Sequence, residues 1–89
     1  MFRDIRWTAD REEHIGRHQV SPAEVEELLL SRPLWVEPKG EVVVVAGVLV
    51  SGRYMLAVVI PEDHQGATFV VTARDMTATE KRIYRQKAR

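Results

Sequence analysis

The residues best suited to chemistry in this 89-residue chain are its three histidines and a scatter of arginines. His14-Ile15-Gly16-Arg17-His18 sets two imidazoles four residues apart, on one face of a helix. An imidazole beside a fixed cation can exchange a proton near neutral pH while the cation holds an anion. His18 and Arg17 are therefore candidates for general acid–base work. The competing reading of His18 is an exposed helix-terminal histidine favoured by the helix dipole. Spacing of this kind also suits a metal, but a third ligand would have to come from His64 or a carboxylate, and no metal site is expected.

Arg53 and Arg74 form the second constellation. If Ile60 opposes Ala67 or Thr68 across a hairpin, Arg53 falls about opposite Arg74 at one end of a sheet. Like charges directly opposite are destabilising, and a phosphate between two guanidinium forks would relieve them. Two alternatives stand beside this: both side chains reach into solvent, or both pair with carboxylates. Trp7 and Trp35 could stack bases or serve as core anchors. The chain has no cysteine, no Gly-rich phosphate loop, no Ser-His-Asp set and no paired carboxylate motif. Thiolate metal sites, disulfides and cysteine nucleophiles are excluded, and no cofactor is expected.

The charge balance adds a direction. Thirteen Lys and Arg offset thirteen Asp and Glu, which argues against a strongly basic nucleic-acid binder. From residue 70 onward, however, six cations (Arg74, Lys81, Arg82, Arg85, Lys87, Arg89) face two anions, Asp75 and Glu80. A basic terminal segment is a candidate polyanion contact or a solvated charged helix. The longest apolar run, Val42 to Val50, is about half a membrane span. With no basic-then-apolar leader at the start, the expectation is a small soluble cytoplasmic domain.

The elements that must carry these residues follow from periodicity. Phe2 to Trp7 alternates like a half-buried strand, and a short helix follows Thr8 and Asp10 to about His18. Ser21-Pro22-Ala23-Glu24 is a helix start with Pro at its first position and a capping box. Val25, Leu28 and Leu29 form its apolar stripe, and Arg32-Pro33 ends it. Leu34–Glu37, Glu41–Val50, Arg53–Ile60 and Ala67–Arg74 read as strands joined by short turns, hence antiparallel neighbours. Ala46-Gly47 suggests a bulge or bend. In the last strand, alternation sets Phe69, Val71 and Ala73 against Thr68, Val70, Thr72 and Arg74, leaving one face free to be wet. Thr77-Ala78-Thr79-Glu80 opens the final helix. The reading is one α+β domain over residues 1–89. It has an antiparallel sheet of four to five strands, two N-terminal helices on one face and a basic C-terminal helix.

In order along the chain these segments resemble the BrnT family of bacterial toxins, the ribonuclease halves of type II toxin–antitoxin pairs. The resemblance rests on Trp7; Arg17-His18-Gln19-Val20-Ser21; Gly52-Arg53 before Met55–Val59; Val71-Thr72-Ala73-Arg74; and Glu80, Arg82 and Tyr84. It implies a RelE-like fold and metal-independent RNA cleavage. It also implies neutralisation by a DNA-binding antitoxin of the ribbon-helix-helix type. On that reading His18, Arg17, Arg53 and Arg74 are catalytic, and Lys81, Arg82, Tyr84 and Arg85 contact RNA. The departures are Arg17 for the family's Lys, Gln19 for its Gly, His14 for its helix Asn, and a valine where an Arg is expected after Glu41. The alternative function is a non-catalytic module of the same fold that binds an antitoxin-like partner.

Overall fold

Ser21 and Thr77 open helices as their spacing to Glu24 and Glu80 requires. Each hydroxyl accepts the backbone N–H of the glutamate three residues on, at 3.2 Å in both cases. Each carboxylate in turn accepts the N–H of the capping residue, at 3.0 and 2.9 Å. The computed structural model describes residues 2, 4–61 and 67–88. Among them the order is β1 (Ile5–Arg6), α1 (Ala9–Gly16), α2 (Pro22–Leu30), β2 (Trp35–Lys39), β3 (Val42–Val48), β4 (Tyr54–Pro61), β5 (Thr68–Asp75) and α3 (Ala78–Lys87). None of these helices is long and apolar enough to cross a membrane. The polar loop expected at 61–66, His64 included, lies almost wholly outside the described residues.

The helix of α1 closes in a Schellman motif. Gln19 N–H donates to the carbonyl of Gly16 and Val20 N–H to that of Ile15, while Ile15 and Val20 are both buried. This places Gln19 in the left-handed region, at φ 61°. A side chain is tolerated there at a cost in backbone energy.

The fold is α+β, but its five-stranded sheet is mixed rather than antiparallel, with order β1-β5-β4-β3-β2. The opening strand shrinks to two residues and pairs parallel with β5, Ile5 against Thr68 and Arg6 against Phe69. Thr8 already caps α1, so no residues are left to extend it. Both edges are poor templates for further pairing: β1 is very short, and β2 carries Pro38, which has no N–H to offer.

The β4–β5 register departs from the expected one. Val59 pairs with Val70, but Val58 pairs with Thr72, so Val71 is an extra residue that opposes nothing. Its carbonyl accepts a long contact from Arg11, at 3.5 Å. The bulge that a glycine inside the strand suggested at Ala46-Gly47 does not occur, because the β3–β4 ladder runs regularly through both residues. Gly47 serves close approach instead. A β-carbon there would lie 2.8 Å from Leu34 and 2.9 Å from Leu28.

Because of the Val71 bulge, Val70 and Ala73 share a face although they are three residues apart. Both pack in a cluster with Ile15, Val25, Leu28 and Leu29 from the first two helices and with Met55, Ala57 and Val59. The other face is not bare. Ala46, Leu56, Met76 and Tyr84 form a second cluster there, flanked by Trp35, Tyr54 and Val58, which seats α3.

Candidate functional site

Arg53 stands just before β4 and fastens four segments together. Its Nε donates to the Asp75 carboxylate at the end of β5, and Nη1 donates to both Glu24 oxygens at 3.0 and 3.2 Å. Nη1 also donates to the carbonyl of Gln19 at 2.8 Å, and Nη2 to that of His18 at 3.3 Å. The bond to Asp75, then that to Glu24, holds the guanidinium pKa above its usual range. Glu24 is held below the usual carboxylate range, chiefly by the Ser21 N–H and then by Arg53. Arg53 is thus half-buried and largely saturated, while the residues it grips are the turn that carries His18.

Arg74 does not join it. The ladder sets Ile60 against Phe69 rather than Ala67 or Thr68, and the bulge adds one residue more. Arg74 therefore pairs with Leu56, three positions from Arg53, and its side chain turns to the α3 face. There its two terminal nitrogens grip the Glu80 carboxylate at 2.7 and 2.9 Å. That contact lowers Glu80 to about 2 and raises Arg74. The expected pair of facing arginines is therefore absent. Arg53 and Arg74 lie near one end of the sheet but on opposite faces, and each is met by carboxylate.

Arg17 and His18 both remain exposed at the end of α1. Arg17 pairs with Glu13 at 2.8 Å in solvent, a contact of little energetic weight. The His18 ring meets His14 edge-on, with centroids 5.4 Å apart. Among the described residues no three His, Cys, Asp or Glu groups gather where they could hold a metal ion.

On α3, Tyr84 is a core residue rather than a surface contact. It is 6% exposed, its hydroxyl donates to the Pro33 carbonyl at 2.8 Å, and burial raises its pKa. Arg82 is exposed. Lys81 and Arg85 both lie 5.3 Å from the Tyr54 ring centroid. Trp7 packs on the first cluster and donates to Glu26 at 3.2 Å, and Trp35 packs on the second. Both serve as anchors here, each half-buried. A groove of about 440 Å³ between the end of α2 and the β3–β4 turn, lined by Leu30, Arg32 and Val50, holds none of the expected site residues.

Sequence reasoning missed Glu24, Glu80, Asp75 and Tyr54. The two glutamates were legible as capping-box members, but not as the carboxylates that take the arginines. Tyr54 had one signal: it follows Arg53 in a strand, so it must face the other way. A scan against models of known protein families finds no match to this chain, and no curated protein matches it.

Proposed function

We propose that the chain is a metal-independent endoribonuclease of the RelE-like, BrnT-type toxin class, with its reaction centred on His18 and Arg17. The observation that carries this reading is the grip of Arg53 on the carbonyls of His18 and Gln19. It fixes the backbone of the turn while both side chains stay in solvent. A fixed backbone limits where an imidazole on it can reach, which supports a role in proton transfer. In the proposed step the His18 imidazole takes the proton of a ribose 2′-hydroxyl as that oxygen attacks the adjacent phosphorus. The bond to the 5′-oxygen breaks, that oxygen takes a proton from water, and a cyclic phosphate is left. Arg17 supplies charge to the phosphoryl oxygens. Arg53 positions the turn, and Arg74 holds α3 through Glu80. A ribbon-helix-helix antitoxin is the partner this class implies.

The test is RNA cleavage by purified protein in EDTA. His18→Ala is expected to lower the rate by about 10²–10⁴ and Arg17→Ala by about 10²–10³. Arg74→Ala should leave the rate per folded molecule unchanged. A second reading, the non-catalytic module that binds an antitoxin-like partner, is favoured by one observation: both strand arginines spend donors on carboxylates. Intact RNA after incubation, together with undiminished growth on expression, would replace the first reading with the second.

A further inference from the structure

The described cations divide by whether a carboxylate meets them. Arg6, Arg17, Lys39, Arg53 and Arg74 each have a carboxylate within 4.0 Å. Arg11, Arg32, Lys81, Arg82, Arg85 and Lys87 have none among the described residues, and of these Lys81 and Arg85 converge on one aromatic ring from positions four apart on α3. Like charges at that spacing repel. The obvious neutraliser, Glu80, is taken by Arg74 and by the Thr77 N–H. The ring beneath them is fixed as well: Tyr84 meets it edge-on at 6.0 Å, and Tyr84 is itself tied to Pro33. Two cations with no carboxylate partner among the described residues therefore share one ring, whose quadrupole favours that placement.

Their position relates them to His18. Arg53 and Tyr54 are consecutive, and successive strand residues point to opposite faces. The Arg53 cluster with its His18 turn and the Tyr54 platform thus lie back to back at one end of the sheet. Resting on the RNA-cleaving reading above, we propose that Lys81 and Arg85 hold consecutive backbone phosphates of single-stranded RNA as it passes over this end toward His18. A single strand asks for point charges in a row and no groove. An acidic protein segment would also need apolar contact, and the Tyr54 ring is already covered by the two cations and by Tyr84.

The test is fluorescence anisotropy of a labelled single-stranded RNA bound by the full chain across a potassium chloride series. It is carried out in a His18→Ala background, so that binding is read without turnover. Each phosphate neutralised on a single strand contributes about 0.7 to the slope of log K against log salt. Lys81→Gln with Arg85→Gln, which keeps length and polarity, should reduce that slope by about 1.4. Arg32→Gln, at the far end of α2, should leave it unchanged. Thermal melting of the double variant near the parent value confirms that the comparison is between folded proteins. An unchanged slope in a folded double variant overturns the proposal. So does binding of poly-glutamate but not RNA by the parent chain, which would assign the patch to an acidic protein. Failure of the native chain to cleave RNA, with the slope change intact, removes the His18 reading and leaves this site standing. Cleavage with no slope change removes this site alone.

Discussion

The two sides of the sheet solve the same problem in parallel ways. On each, an arginine from the β4–β5 region binds the glutamate of a capping box, Arg53 to Glu24 of α2 and Arg74 to Glu80 of α3. One glutamate both caps a helix and fixes where that helix meets the sheet. The difference lies in reach. The partners of Arg74 lie one and six residues away, the nearer a backbone carbonyl, whereas those of Arg53 lie 22 to 35 residues away and include two backbone carbonyls. Arg74 closes a local loop. Arg53 holds the α1–α2 turn, α2 and the end of β5 in one knot, and so carries more of the tertiary structure.

That contrast makes the largest prediction. Arg53→Ala leaves Glu24 and Asp75 facing each other unpaired and frees the Gln19 carbonyl. It is expected to cost about 2–3 kcal/mol, lowering Tm by roughly 10–20 °C for a domain of this size. Arg74→Ala should cost about 1 kcal/mol, because its side chain is more exposed and it holds one carboxylate where Arg53 holds two. Urea melts with equal slopes check both, and equal losses would break the comparison.

The second prediction concerns acid. Glu80 sits at about 2 in the folded chain against an ordinary 4.5. A depressed carboxylate adds stability above its unfolded value and loses it as pH falls toward the folded one. Stability should therefore drop between pH about 4.5 and about 2, with Glu24 contributing in the same sense. In Arg74→Ala the drop should be shallower. An identical acid limb in the two proteins would deny the Arg74–Glu80 bond its weight.

The smallest effect is a gain. Gln19→Gly relieves the left-handed backbone at φ 61° while Arg53 keeps its bond to the residue 19 carbonyl. Glycine also loosens the unfolded chain, so the net is expected near 0.5 kcal/mol of stabilisation, read as a small rise in Tm. A loss would mean that the Gln19 side chain, rather than the main chain, holds the turn.

Local signals in the sequence proved readable. Both capping boxes, the end of α1 near His18, the apolar residues of α2 and every strand from β2 onward follow from periodicity and turn chemistry. What stayed hidden was non-local. Nothing near Ile5 indicates that it will pair parallel with Thr68, because that contact is made across the whole chain. Val71 looks like any strand valine, yet it shifts the register and separates Arg74 from Arg53. The exposed pair Arg17 and His18 was visible as candidate chemistry. The carboxylates around the other candidates were visible only as caps, since a glutamate that accepts from an N–H can also face a guanidinium.

The extra residue at Val71 bears on how this gene can change length. A strand normally tolerates exchange of one side chain for another, but its residue count decides which side of the sheet every later side chain meets. Deleting Val71 would hand Arg74 to the layer of the first two helices and Asp75 to the layer of α3. Two guanidinium groups would then share one layer, and Glu80 would face an aspartate. A deletion of one codon here would thus act as an exchange of electrostatic partners between two layers. Insertions in the β2–β3 turn, which precedes no such choice of side, should be absorbed far more easily.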